Sequence, residues 1–167
     1  FTVTAVSDNG WIASGSESQT VTVAKGVTEI FTITMDVAHV AAEIVDYWSV
    51  SVTAGNDDTQ TASHDGETTV AVISGVSVTI ENSSGSALPG ESVSYYFVIT
   101  NTGNDEESFA YSTSSQNGWG FGGGVGNTAL LAMGSSETVA VLHIVQEGVM
   151  AGDSDAINLN AGSGFPG

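Results

Sequence analysis

The feature that most constrains this chain is internal self-similarity. Asn9-Gly10-Trp11 recurs as Asn117-Gly118-Trp119, a shift of 108 positions (9 to 117). The same shift aligns Phe1 with Phe109, Gly26 with Gly134, Glu29 with Glu137, Phe31 with Val139, Ile33 with Val141 and Val37 with Val145. After one deleted residue the expected shift becomes 107 (46 to 153), pairing Asp46 with Asp153, Val50 with Ile157, Val52 with Leu159 and Ala54-Gly55 with Ala161-Gly162. Repetition at a fixed long period means copies of one structural unit, here about one and a half of them.

Residues 70–163 read as a complete unit. Short stretches alternate apolar and polar residues with period two and are separated by Gly, Asn, Asp and Ser, the pattern of an all-β sandwich. Strands are expected near 70–80, 91–100, 107–114, 128–131, 137–145 and 155–161, with almost no helix. Leu88-Pro89-Gly90 and Asn101-Thr102-Gly103-Asn104 are turn chemistry. The organisation expected is a partial repeat over 1–55 that carries only the later strands, a linker over 56–69, a complete repeat over 70–163, and the start of a further linker at 164–167. The first copy lacks counterparts of residues 71–108. Its missing strands are expected either from upstream sequence or from a neighbouring copy by strand addition.

Charge narrows the partners. Nineteen acidic residues stand against one basic residue, Lys25, for a net charge of -18. Nucleic acid binding needs several cations to displace counterions, so nucleic acid is excluded as a partner, and an anionic membrane surface by the same argument. No apolar run is long enough to insert into a membrane. With no cysteine, disulfides and thiol chemistry are absent, and 41% hydrophobic residues suffice for a packed core. The chain opens inside an alternating Thr/Val stretch, so the true N-terminus is expected elsewhere.

The run Pro89-Gly90-Glu91-Ser92-Val93, then Phe97 through Asn104, Gly118-Trp119, Leu131 through Glu137 and Ala151-Gly152-Asp153 resembles bacterial and archaeal surface immunoglobulin-like domains. The nearest are the alpha-galactosidase-associated, NEW-type family and its relatives in adhesins, S-layer proteins and filaments. The resemblance spans nearly all of 70–163 and the later strands of 1–55. It implies tandem immunoglobulin-like β-sandwiches, one complete and one lacking its first strands, in an extracellular, cell-surface setting. These motifs are turn and core positions, which specify fold well and function poorly.

Chemistry is sparse. His39, His64 and His143 have no paired ligand spacing, and no serine lies in Gly-x-Ser-x-Gly, so no catalytic site is expected. His143, aligned with Met35, reads as a partly buried structural histidine. Calcium is the one metal the composition suits, through the acidic turns that hold Asp57 and Asp58 with Asp65, Asp105 with Glu106, and Asp153 with Asp155. Solvated turns are the simpler account. Trp11 and Trp119 follow equivalent Asn-Gly turns, where a tryptophan plugging the end of each repeat competes with a ring that stacks on a glycan. Asn82-Ser83-Ser84 is the single N-glycosylation sequon. Lys25 is poorly placed for an isopeptide bond.

One strand carries an assembly expectation. In 30–37 the inward set is Phe31, Ile33, Met35 and Val37, with polar residues mostly outward. The equivalent strand keeps Val139, Val141 and Val145 inside but places Leu142 and Ile144 outside. These two, with the unrepeated Tyr47 and Trp48, are the expected interface to another domain or subunit. Two functions follow. The first is a structural segment of an extracellular filament, stalk or surface layer, contacting copies of itself or neighbouring repeats. The second is a non-catalytic accessory module that binds glycan or protein for a secreted enzyme or adhesin.

Overall fold

The computed structural model describes residues 1–163, so the linker expected at 164–167 lies outside the described residues. The protein is all-β: the described residues form three antiparallel sheets and no helix. They divide into two compact units, Phe1–Ala71 and a second that begins at Val72.

The second unit holds two sheets. One runs in the order β5 (Val76–Ile80), β6 (Ser92–Asn101), β10 (Ser136–Ile144), β8 (Gly120–Gly122). The other runs β11 (Ile157–Ser163), β7 (Phe109–Ser115), β9 (Val125–Asn127). Period two sets the faces. Along β6, Tyr95, Phe97 and Ile99 are buried, and along β10 so are Val139, Val141 and His143. The ladder places Val139 opposite Phe97 and Val141 opposite Tyr95. Phe109 from β7 and Leu159 from β11 join the same cluster, so the two sheets share one core. Each large side chain fully buried there stabilises by about 1.5–3 kcal/mol.

Asn101 ends β6 wholly buried, and its amide closes the turn that follows. Nδ2 donates to the carbonyls of Asp105 (2.7 Å) and Leu131 (2.8 Å), and Oδ1 accepts from the Gly103 N–H at 2.9 Å. A polar side chain is tolerated there because its hydrogen-bonding capacity is used.

The first unit is one sheet in the order β2 (Ser18–Thr20), β1 (Thr2–Ser7), β3 (Val45–Ala54), β4 (Asp57–Thr69). Its β2-β1-β3 portion matches β9-β7-β11. The registers correct the expected repeat alignment. Ser7 pairs with Trp48, and its equivalent Ser115 pairs with Ile157. Trp48 therefore corresponds to Ile157 and Asp46 to Asp155, a shift of 109 (46 to 155): one residue is inserted, where a deletion was expected. Asp153 is not the partner of Asp46.

Three further differences have physical causes. The segment expected as a linker at 56–69 is strand β4, laddered to β3 from Val45 opposite Thr69 to Thr53 opposite Thr61. It carries almost no apolar alternation, because both of its faces are largely exposed. The main-chain ladder holds it, and Trp48 lies across Gly66, where an added Cβ would stand 2.2 Å from the indole. Its charged residues blunt the open edge. Secondly, β8 and β9 are short strands of Gly-Phe-Gly and Val-Gly-Asn, whose composition reads as loop, while 128–131 makes only an isolated bridge from Leu131 to Glu107.

Thirdly, 30–37 is not a strand. Its single bridge joins Met35 to Ile12, and Phe31 and Val37, expected inside, are exposed. The equivalent strand β10 is held between β6 and β8. Among the described residues no strand pairs with 30–37 as β6 pairs with β10. Alternation alone does not satisfy backbone groups.

Candidate functional site

The repeated pentapeptide Ser-x-Asn-Gly-Trp builds the same corner twice. In the first unit Ser7, at the end of β1, donates through Oγ to Asp46 Oδ1 at 3.1 Å. The Asn9 N–H donates to the same oxygen at 2.7 Å, Asn9 Nδ2 donates to the Val45 carbonyl at 3.2 Å, and the Trp11 N–H donates to Ser7 Oγ at 2.8 Å. In the second unit Ser115 Oγ donates to Asp155 Oδ2. The Asn117 N–H donates to Asp155 Oδ1, Asn117 Nδ2 to the Ser154 carbonyl and the Trp119 N–H to Ser115 Oγ, each at 2.8 Å. Gly10 (φ 70°) and Gly118 (φ 75°) make the turn in the left-handed region. The space around both is open, so backbone conformation, not crowding, requires glycine there.

The second corner has an extra member. His143 reaches in from β10, its Nε2 2.8 Å from Asp155 Oδ2, and both side chains are buried. Its ring stacks on Trp119 (centroids 5.5 Å apart, planes at 23°) and on Phe121 (5.3 Å, 26°), and tilts against Tyr95. Burial raises the Asp155 pKa, but hydrogen bonds from Ser115, Asn117 and His143, with the attraction of His143, outweigh it and hold the carboxyl below its ordinary value. An ionised carboxylate only accepts, so the imidazole proton lies on Nε2. In the first unit Met35 stands at the position of His143 and takes the Thr68 hydroxyl on its sulfur. Asp46 Oδ2 is buried with no hydrogen-bond partner.

Ser, His and Asp are thus close together, in the wrong order for a nucleophile. A catalytic triad places the imidazole between serine and carboxylate. Here the carboxylate is central, and Ser115 Oγ both donates to it and accepts from Trp119. Beside the corner lies a cavity of about 450 Å³ lined by Tyr95, Trp119, His143, Asp155, Leu88 and Met150.

The acidic residues expected to gather calcium stay apart. Among the described residues no group of three or more His, Asp or Glu could hold a metal ion. Several cap their own turns. Asp57 accepts from the Thr59 hydroxyl (2.6 Å) and N–H (3.1 Å), and these bonds lower its pKa. Asp105 accepts from the Glu106 N–H and Asp153 from the Met150 N–H. Asp58, Asp65 and Glu106 are exposed. Asn82 Nδ2, the atom a glycan would occupy, donates to the Ser94 carbonyl at 3.0 Å, while Oδ1 accepts from Tyr96.

Leu142 and Ile144 lie on the outer face of their sheet, partly exposed, with Gly122 and Gly120 opposite them on β8. Tyr47 is exposed, and Trp48 is engaged with Gly66. His39, His64 and Lys25 are exposed. His143, expected to be partly buried, is almost wholly buried at 3% exposure. Sequence reasoning missed the roles of Ser7 and Ser115, although their recurrence two residues before each Asn-Gly-Trp was legible.

Comparison with protein-family models, curated proteins and solved structures finds no match for this chain. The fold defines the class: an all-β protein of three antiparallel sheets.

Proposed function

We propose that this chain is a non-catalytic segment of a tandem-repeat, extracellular structural protein, in which immunoglobulin-like β-sandwich units stack into a filament, stalk or surface layer. The observation that carries the reading is the corner built twice, Ser7-Asp46-Asn9-Trp11 and Ser115-Asp155-Asn117-Trp119, with matched hydrogen bonds. A feature repeated with its bonding spent internally is a device of folding, and tandem units of this kind are stabilised by contacts with their neighbours. The net charge of -18 and the absence of cysteine and of basic patches fit a solvated surface protein. Negative-stain imaging of the full-length native protein tests it. Regular filaments or layers are expected, and discrete particles with no assembly at any concentration would reject the reading.

The cavity beside Trp119 favours a second reading, an accessory module that binds a glycan, since an indole flanked by a carboxylate and an imidazole suits a sugar ring. Titration with a glycan panel, read by tryptophan fluorescence and repeated on Trp119→Ala, separates the two.

A further inference from the structure

The cavity beside the second corner, about 450 Å³, has carboxylates near it and no cation. From Val72 onward the sequence contains no lysine or arginine. Leu88 and Met150, 67% and 79% exposed, stand at its mouth. The Leu88 N–H is taken by Glu91 Oε2 at 3.1 Å and the Met150 N–H by Asp153 Oδ2 at 2.8 Å. An anion entering here meets like charge and finds these amides already spent.

His143 adds an independent observation. Its side chain is 4% exposed and borders the cavity. Trp119 and Phe121 stack on the ring, and Nε2–H goes to Asp155. Nδ1 is then a lone-pair acceptor, and it has no partner among the described residues. Unlike Asp46 Oδ2, it is not sealed from access. A buried acceptor that is neither paired nor sealed calls for a donor from outside. The ionised Asp155 behind the imidazole polarises it and strengthens Nδ1 as an acceptor.

We propose that this cavity binds an organic ammonium, a primary amine on an apolar body, which donates an N–H to His143 Nδ1. Its charge is answered by Asp153 at the rim and by the indole of Trp119, which attracts cations through its π system. Its apolar body covers Leu88 and Met150. The net charge of -18 favours the approach of a cation over that of an anion. This goes beyond the glycan reading, which asks only for a ring against Trp119.

The probes are n-butylammonium, n-butanol and butyrate, similar in size and different in charge, titrated calorimetrically into the whole chain. The ammonium is expected to bind at least ~10-fold more tightly than the alcohol, with no binding of butyrate and weakening by salt. Asp153→Asn, at an exposed position that keeps an acceptor for the Met150 N–H, is expected to weaken ammonium binding at least ~3-fold and leave the alcohol unaffected. In nitrogen-15 spectra the His143 Nδ1 resonance is expected to shift with the ammonium, while the exposed His39 and His64 serve as unmoved controls. Equal affinity for the three probes, or ammonium binding that leaves His143 Nδ1 unmoved, overturns the proposal. Either order of Nα-acetyl-lysine methylamide and butylammonium upholds the site: tighter binding of the former assigns a lysine side chain as the natural ligand, and the reverse assigns a free amine. Binding of neutral sugars with no preference for ammonium would keep the glycan reading and remove this one.

Discussion

Asp46 and Asp155 hold the same position in the two corners, yet Asp155 Oδ2 lies 2.8 Å from His143 Nε2 while Asp46 Oδ2 is buried without a partner. Met35 stands in the first unit where the second has His143, and its sulfur takes the Thr68 hydroxyl instead of reaching the carboxylate. The two carboxylates therefore give an internal comparison of a satisfied and an unsatisfied buried oxygen.

Asp155→Ala should destabilise the second unit by about 3–5 kcal/mol, because it strands the His143 N–H, the Ser115 hydroxyl and the Asn117 N–H. Asp46→Asn should cost the first unit less than Asp155→Ala costs the second, since Oδ1 keeps its two donors and Oδ2 has no partner to lose. Denaturant unfolding followed by hydrogen exchange, which resolves the two units, checks both. Equal losses would overturn this ranking of the two corners.

Acid should weaken the second unit through Asp155. The folded pKa of Asp155 is lowered, so the unfolded chain binds its proton at higher pH. The contribution is complete above the unfolded carboxylate value, about 3.9, and is lost as pH falls through that value and then the lower folded one. Asp155→Asn should flatten this part of the pH profile. A profile unchanged by the substitution would place the acid sensitivity elsewhere.

Gly66→Val should destabilise the first unit by about 1–3 kcal/mol, because a Cβ at 2.2 Å from the Trp48 ring forces the indole off β4. A red shift in tryptophan emission and faster exchange in 57–69 are the readouts. An unshifted spectrum with native stability would mean that Trp48 does not hold the strand.

Leu142→Asp with Ile144→Asp should leave folding of the second unit within ~1 kcal/mol, since both side chains face outward and are partly exposed. The threshold concentration for assembly of the full-length protein should rise at least ~10-fold, because the outward apolar face is replaced by charge. Sedimentation of wild type and variant compares them, and identical assembly would reduce the pair to ordinary surface hydrophobics.

Much of this was legible in the residues. Alternation of Tyr95, Phe97 and Ile99, and of Val139, Val141 and His143, determined which faces of β6 and β10 turn inward, because side-chain direction along a strand follows from chain geometry alone. Recurrence of Ser-x-Asn-Gly-Trp marked the corner that is built twice, and glycine at Gly10 and Gly118 marked the turns. Pairing was decided only in three dimensions. The polar β4 exists because β3 offers it a ladder, and 30–37 has the right alternation but no such neighbour among the described residues. The one-residue insertion that sets Asp46 equivalent to Asp155 appears only in the register of β1 with β3 and of β7 with β11. Asp155 looked like a calcium ligand in an acidic turn, and became the centre of a buried network because His143, from the other sheet, closes on it. Local pattern is written residue by residue, whereas a hydrogen-bond partner is chosen by segments far apart in the chain that the fold brings together.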